Sequence, residues 1–106
     1  MRDNYHESLA SVVTDLVGMS EAVQVAVREA TKALLEADLA TAEQVISEDA
    51  KIDQLHDDLE GRCFSLLARQ APVAGELRTV VAAMRMVADL ARMGDLAAHV
   101  AKIARL

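Results

Sequence analysis

The sequence predicts an all-α fold, an antiparallel up-down-up bundle of three long helices. Composition is the first reason, because only 2% of the residues are aromatic, one is proline and none is tryptophan. Periodicity is the second, because apolar residues recur at steps of three and four along three segments. We expect helices over about residues 5–36, 39–69 and 73–104, within one domain spanning residues 1–106.

The first predicted helix carries an unbroken apolar seam of the heptad type. The seam changes from large side chains to alanine along the helix, so a neighbouring helix can approach its second half closely. Asp38 follows the helix, and with Thr41 it is expected to cap the next one. The members of the seam are Leu9, Val12, Leu16, Met19, Val23, Ala26, Ala30 and Ala33.

The second and third predicted helices carry similar seams. In the second helix the seam is Val45, Ile52, Leu55, Leu59 and Leu66. Pro72 is expected to end this pattern, because proline disfavours helix at the residue before it. In the third helix Gly94 predicts a close approach of another helix. The third seam is Leu77, Val80, Met84, Val87, Ala91, Gly94, Ala98 and Ala101.

Further apolar residues lie beside these seams, and they make the apolar surface wide for a lone bundle. Hydrophobic residues form 53% of the chain, a high share for a protein that must also cover its own surface. One interpretation is scattered apolar surface residues, which are normal. The one we favour is an exposed face that pairs with a second copy or a partner helix. The residues concerned are Val13, Val25, Val27, Val81, Met86, Met93 and Val100.

Charge and cysteine content limit the classes of partner and compartment. The net charge of −6 argues against binding to nucleic acid or to anionic lipid. Cys63 is the single cysteine, so no internal disulfide can form. The first residues lack the apolar core of a signal peptide, and no uninterrupted apolar run reaches about 18 residues. We expect a soluble cytoplasmic protein without direct membrane insertion.

The third predicted helix concentrates polar side chains. Asp95 and His99 are four residues apart, so they share a helix face and could bind one iron, zinc or manganese ion together. Asp89 and Arg92 lie within the same three turns, and Arg85 precedes Asp89 by four residues. The alternative is that these are surface ion pairs, each worth only a few tenths of a kcal/mol.

The second predicted helix carries an acidic row. Asp49, Asp53 and Asp57 follow one another at steps of four, beside His56 and Asp58. Such a row is usually a solvated face, yet a cation would relieve the repulsion between its charges. One Asp-x-x-His pair is too little for a di-iron enzyme, which needs two such motifs and further carboxylates on four helices. We therefore expect a protein that is not an enzyme.

The chain resembles the PhoU family of phosphate-signalling regulators, in particular the first half of its actinobacterial members. The most specific match is in the third predicted helix, where Arg92-Met93-Gly94-Asp95 follows Ala88-Asp89-Leu90. The resemblance covers essentially the whole sequence. The other matching segments are Met1-Arg2, Tyr5-His6-Glu7, Ala37-Asp38-Leu39, Ala42-Glu43, Leu66-Leu67-Ala68-Arg69-Gln70, Pro72-Val73-Ala74, Glu76-Leu77-Arg78 and His99-Val100-Ala101-Lys102-Ile103-Ala104.

This resemblance implies a cytoplasmic negative regulator of phosphate uptake and of phosphate-responsive two-component signalling. Family members restrain the phosphate sensor histidine kinase, and they act with the high-affinity phosphate ABC transporter at its ATPase subunit. We expect Arg85 and Arg92 to take part in contacts with such a partner. The alternatives from other classes are a metal-binding helical bundle and a generic helical scaffold without a phosphate role.

The resemblance also bears on assembly and on metal binding. Family members consist of two three-helix repeats, whereas this sequence ends where the second would begin, so we expect a half-length or shortened member that forms a homodimer. Some members carry iron or zinc clusters on Glu/Asp-x-x-x-Asp motifs. Here Ala91 stands where the family's motif in the third helix has glutamate, so one ligand is missing. The iron or zinc ligands that the resemblance leaves are Asp49, Asp53, Asp89, Asp95 and His99.

Overall fold

Three long α-helices make up the protein. The structure is a computed structural model, and it describes residues 2–69 and 74–106. The helices are α1 (Arg2–Glu36), α2 (Leu39–Arg69) and α3 (Ala74–Arg105). The predicted all-α bundle is confirmed, with α1 beginning about three residues earlier than expected. The predicted break at Pro72 lies outside the described residues.

The helices lie side by side in a rod of 53 × 17 × 16 Å. Arg62 of α2 reaches Asp15 near the start of α1, as expected for antiparallel neighbours. Val17 of α1 borders the same groove as Met86 of α3, whereas Val27 borders another groove with Met93. The first and third helices are therefore parallel, which is the up-down-up arrangement.

The predicted seams form the core. All members of the α1 seam are buried except Leu9, which is half-buried against the core. Val45, Ile52, Leu59 and Leu66 of α2 are buried as well, with Leu55 packed against them. Burial of a large aliphatic side chain contributes about 1.5–3 kcal/mol to stability. Packing of these seams is therefore the main interaction that holds the three helices together.

The start of α3 differs from the prediction. Leu77 was expected in the seam, but 42% of its surface is exposed, whereas only 9% of Glu76 is exposed. The cause is helical phase, since a step of four back from buried Val80 reaches Glu76 and not Leu77. Glu76 contacts Nε2 of His6 at 2.7 Å, a link between the first turns of the parallel α1 and α3 that the sequence did not indicate.

The turn between α1 and α2 is closed by local hydrogen bonds. Ala37 has a φ of 52°, and the amide of Asp38 donates to the carbonyl of Ala33 at 3.0 Å, which ends α1. The predicted cap of α2 is present: the amide and hydroxyl of Thr41 donate to the carboxylate of Asp38 at 3.1 and 2.8 Å. These bonds hold the pKa of Asp38 below its ordinary value.

The first helix is also the most membrane-like by composition. Between Asn4 and Glu36 it is long and apolar enough to cross a membrane, with a mean hydropathy of 1.3 over its most apolar 18-residue window. The core helices of soluble proteins meet the same criterion, and α1 contributes its whole seam to the bundle core. This property is therefore weak evidence for membrane insertion.

Candidate functional site

Three aspartates from two helices meet on the surface between α2 and α3. Asp49 and Asp53 are one turn apart on α2, and Asp95 faces them from α3. One carboxylate oxygen of each lies within 4.8 Å of the others. We call these three residues the acidic cluster. The row on α2 predicted two of its members, and the polar region of α3 predicted the third.

A glycine sets the distance between the two helices at this level. Gly94 is buried, and a Cβ atom there would lie 3.0 Å from Cγ2 of Ile52 and 3.6 Å from Oδ1 of Asp49. Any larger residue would have to displace a buried side chain. The close helix approach predicted from Gly94 is thus present, and it brings Asp95 within reach of the acidic row.

Asp49 is the electrostatic centre of the cluster. Its pKa is raised above the ordinary value, first by burial and then by the charges of Asp53 and Asp95, while Lys102 and His99 act in the opposite direction. Oδ1 of Asp49 is buried and accepts no hydrogen bond from the described part of the chain. A buried acceptor without a donor is unfavourable, so this oxygen favours a proton or a cation.

The donor set of the cluster fits an oxygen-preferring cation. Three carboxylates are the ligands that Mg²⁺, Ca²⁺ and Mn²⁺ prefer, and iron also accepts them. Zinc more often takes nitrogen and sulfur ligands, and no histidine or cysteine belongs to the cluster. With three ligating residues, such an ion would keep water molecules in its remaining positions.

The other predicted site residues are not part of this cluster. Asp89 forms an exposed ion pair with Arg92 at 3.6 Å, and each side chain keeps at least 70% of its surface exposed. His99 is exposed one turn beyond Asp95, near enough to influence Asp49. Arg85 is exposed too. The polar region of α3 therefore divides, with Asp95 and His99 near α2 and Asp89 paired to Arg92.

The acidic row of α2 also divides after Asp53. Asp57 contacts Nδ1 of His56 at 3.0 Å, and Asp58 accepts a hydrogen bond from Arg62 at 3.0 Å. The Asp-x-x-His pair of Asp53 and His56 thus has its imidazole engaged by Asp57 rather than by the cluster.

Arg62 forms a bridge between α2 and α1 that sequence reasoning missed. Its guanidinium donates to Asp15 at 2.7 Å and to Ser11 at 2.8 Å, both on α1, as well as to Asp58. These carboxylates raise the pKa of Arg62 further. The signal in the sequence was faint, because the two partners on α1 lie about fifty residues away from the arginine.

A second surface feature is an apolar strip between α1 and α3. Two grooves of about 280 and 240 Å³ lie along it, and no charged residue lines either. Several of the off-seam apolar residues noted in the sequence lie here, so the predicted exposed apolar face is present within this chain. We call it the α1–α3 face, and it comprises Val13, Val17, Ser20, Val27, Thr31, Thr79, Ala82, Met86, Met93, Leu96 and Val100.

The groove on the opposite side of α1 has another character. It measures about 540 Å³ and lies between α1 and α2. Val25 lines it, but so do the charged side chains of Glu29, Glu48 and Lys51. Lys51 forms an ion pair of 3.2 Å with Glu48, which is also on α2. The α1–α2 groove is thus amphipathic, while the two grooves of the α1–α3 face have no charged lining.

The lone thiol offers no reactive centre. Cys63 is free, as expected for a single cysteine, and it is buried in the core. Burial is the main cause that raises the pKa of its thiol. A protonated thiol enclosed by apolar side chains is a poor nucleophile, so Cys63 has a packing role.

The fold and its surfaces define a class: a three-helix bundle that carries an acidic cluster and an apolar face on its outside. The family model of the PhoU domain matches residues 16–104. The chain therefore belongs to the PhoU family, as its resemblance implied.

Individual relatives agree with this assignment. The chain is 54% identical over 105 residues to a phosphate-specific transport system accessory protein PhoU homolog 2 of Mycobacterium tuberculosis, covering 99% of this chain and 49% of the relative. Identity to homolog 1 of the same species is 46%, covering 99% of this chain and 48% of the relative. The corresponding homolog of Aquifex aeolicus is 38% identical over 100 residues, or 94% of this chain and 45% of the relative.

The chain spans about half the length of these curated relatives. Among solved structures, none matches it.

Proposed function

We propose that this protein regulates phosphate uptake and phosphate-responsive two-component signalling, as a negative regulator. The observation that carries the proposal is family membership together with relatives named as phosphate-specific transport system accessory proteins. The surfaces of the bundle are compatible with this role, because regulation by contact needs exposed recognition residues rather than a reaction chamber. We infer that the protein is not an enzyme.

The proposed partners are the ATPase subunit of a phosphate ABC transporter and a phosphate sensor histidine kinase. Both have their regulatory parts in the cytoplasm, so the protein is proposed to be cytoplasmic. Arg85 and Arg92 support a protein contact, because both are exposed on α3 and Arg92 forms only a weak pair with Asp89. Arginine is enriched among the residues that dominate binding energies.

A binding experiment tests these partners. The purified chain is tested against the transporter ATPase and against the kinase, and we expect saturable binding to at least one. A double variant, Arg85→Glu with Arg92→Glu, should weaken that binding by about tenfold or more, since each reversal replaces attraction by repulsion.

The control is Lys51→Glu, a charge reversal at an exposed residue of α2 that pairs with Glu48 of the same helix. It should leave binding unchanged. Absence of binding to both candidate partners would contradict the proposed function, and equal loss in both variants would contradict the role of the two arginines.

A second candidate function is cation binding by the acidic cluster. The observation that favours it is the buried Oδ1 of Asp49, which accepts no hydrogen bond from the described residues and belongs to a cluster with two further carboxylates. Elemental analysis of protein purified without chelator should find roughly one ion per chain, and Asp95→Asn should abolish it. A content below about a tenth of an ion per chain would exclude a resident metal.

We also propose that the chain forms a homodimer. Its apolar residues outside the core are the reason, because large exposed apolar surfaces are typical of interfaces. The proposal concerns the chain of 106 residues as it stands.

A further inference from the structure

We propose that Arg78, Arg85 and Arg92 of α3 form one recognition surface, and that this surface binds an acidic helix of a partner protein. We call these three residues the arginine row. The inference rests on the proposed regulation by protein contact, and it adds Arg78 to the surface and specifies the chemistry of the partner. It depends on the spacing of the row, on the distribution of charge over the chain and on the side chains around the arginines.

The arginines follow one another along α3 at steps of seven residues. Each step rises by roughly 10.5 Å and turns the side chain by only roughly 20°, so the row is a line roughly 21 Å long. All three residues are exposed, and each precedes a buried seam residue by two positions and so points to the opposite side of the helix. A second helix that lies along α3, with carboxylates at a similar spacing, can therefore contact the whole row.

The charge of the chain is unevenly distributed, and α3 is its positive helix. It carries five lysines and arginines against three aspartates and glutamates, whereas the rest of the chain carries six against fourteen. The net charge is therefore +2 on α3 and −8 elsewhere. Because Glu76 is buried and contacts His6, only Asp89 and Asp95 add negative charge to the exposed surface of α3. An anionic partner is thus attracted to the outer side of α3 and repelled by the other two helices.

The arginines of the row are hardly used inside the bundle. Among the described residues, Arg78 and Arg85 form no ion pair, and Arg92 has only the exposed contact of 3.6 Å with Asp89. Arg62 shows the contrast, because two carboxylates and a hydroxyl group accept hydrogen bonds from its guanidinium. A guanidinium without an internal partner can donate two parallel hydrogen bonds to a carboxylate, so the row is available for such contacts with a partner.

Small and apolar side chains separate the arginines on the outer side of α3. Val81, Ala82 and Ala88 are exposed there. The groove beside Arg78 and Arg85, towards α1, has no charged lining. A partner helix can come close where side chains are small, and its carboxylates can then bind guanidinium groups that the contact shields from water. Arginine among apolar residues is typical of protein interfaces.

An acidic helix fits the row better than nucleic acid or a membrane does. Both of these are extended polyanions, and either would come close to the acidic cluster as well as to the row, because Asp95 is only three residues beyond Arg92. A single helix can lie along residues 78–92 and leave the acidic cluster uncovered. Charge complementarity therefore favours a narrow anionic partner.

Asp89 competes with such a partner. It is exposed, lies between Arg85 and Arg92 along the helix, and pairs with Arg92 at 3.6 Å. A carboxylate of the partner that binds Arg92 has to displace this contact and to approach a like charge. Removal of the Asp89 charge should therefore strengthen binding, which would not be expected of an aspartate with a merely structural role.

Four variants test the row. Arg78→Glu reverses the charge at the member farthest from the acidic cluster, and Arg78→Gln removes the same charge without reversing it. Arg28→Glu is the matched control, because Arg28 is an exposed arginine on α1, two residues beyond buried Ala26 and so on the outer side of that helix. Asp89→Asn removes the competing carboxylate.

The measurement is the dissociation constant of the purified chain for the transporter ATPase and for the sensor kinase, with circular dichroism to verify that each variant remains helical. For a protein that binds the wild type, Arg78→Glu should weaken binding by about tenfold or more, and Arg78→Gln should weaken it less. Arg28→Glu should change it by less than about twofold, and Asp89→Asn should strengthen it by about twofold or more. Hydrogen exchange of the partner should show protection in a helix rich in aspartate and glutamate.

The results that would contradict the inference are distinguishable. If neither protein binds the wild type, the proposed function is refuted, and this inference with it. If one of them binds but Arg78→Glu weakens binding no more than Arg28→Glu does, the proposed function stands and the arginine row is refuted. Protection of a partner segment without acidic residues would refute the acidic helix. Wild-type binding to phosphatidylglycerol vesicles that Arg78→Glu abolishes would assign the row to lipid instead.

Discussion

Asp49 is a residue at which packing and surface chemistry conflict. Its backbone belongs to the helix face that packs against α3, yet its side chain is ionisable and partly buried. The charges of Asp53 and Asp95 add to the cost of burial and raise its pKa. A residue of this kind weakens the fold unless something binds to it, which is a common property of functional sites.

The raised pKa leads to a prediction about stability. In the folded state Asp49 keeps its proton to a higher pH than in the unfolded state, where the ordinary value is 3.8. Its contribution to stability therefore falls as the pH rises from that value through the raised folded pKa, and the full penalty is present at neutral pH. Asp49→Asn should raise the free energy of unfolding by about 0.5–1 kcal/mol at pH 7, and by nothing below the ordinary pKa.

Urea denaturation in the presence of a chelator measures this difference. Glu21→Gln, which removes an exposed carboxylate on α1, is the control and should change the stability little at either pH. If Asp49→Asn were destabilising at pH 7 without any cation, the penalty assigned to the carboxylate would be wrong. With a saturating divalent cation we expect the reverse order, since the wild type then gains binding energy that the variant loses.

At the scale of the helices, α3 can approach α2 closely because Gly94 has no side chain. Gly94→Ala would gain helix propensity of about 1 kcal/mol but would force buried Ile52 to move, at a cost of about 1–3 kcal/mol. We expect a net destabilisation on the order of 1 kcal/mol. The cation affinity of the acidic cluster should fall as well, because Asp95 would move away from Asp49.

Gly61 provides the control for this prediction. It lies within α2, and an added Cβ atom would have no neighbour within 4 Å. Gly61→Ala should therefore stabilise the protein by about 1 kcal/mol through helix propensity alone. Thermal or urea denaturation of both variants separates the two cases, and stabilisation by Gly94→Ala would show that the helices are not in tight contact there.

Sequence periodicity was sufficient for the helices but not for all of their contacts. The α1 seam was predicted from Leu9 to Ala33, because its apolar residues repeat there without interruption, but buried Tyr5, one turn earlier, was not included. At the start of α3, Leu77 was preferred over Glu76 since apolar residues normally occupy seams, and the contact with His6 had no sequence signal. The pattern along one helix predicts which of its residues are buried. The rotation of each helix about its own axis, which decides between neighbouring residues such as Glu76 and Leu77, also depends on the helices packed against it.

For the candidate site, too, the sequence indicated the residues but not how they meet. The acidic spacing on α2 pointed to Asp49 and Asp53, and the polar region of α3 pointed to Asp95, but their meeting across the two helices depends on Gly94 and Ile52. Asp89 and Asp95 are six residues apart, so they point in directions about 120° apart on α3, but the sequence alone does not show which of the two directions faces α2. The resemblance to the PhoU family kept both aspartates among the expected ligands; the match of the family model to residues 16–104 confirms the family.

At the scale of the whole molecule, the three grooves between helices differ in chemistry. The two grooves of the α1–α3 face have no charged lining, the α1–α2 groove is amphipathic, and the surface between α2 and α3 is acidic. The proposed contacts with a second copy, a protein partner and a cation would therefore use surfaces of different chemistry. In the single chain the arginines of α3 are exposed.

The central claim is that the protein restrains phosphate-responsive signalling, and a reporter of phosphate-starvation genes tests it most directly. In cells that lack this gene, grown with abundant phosphate, the reporter should be active, and expression of the chain should repress it. The double variant of Arg85→Glu and Arg92→Glu should fail to repress it although it accumulates to the same level. A reporter that stays active while the wild-type chain is present, folded and abundant would contradict the account.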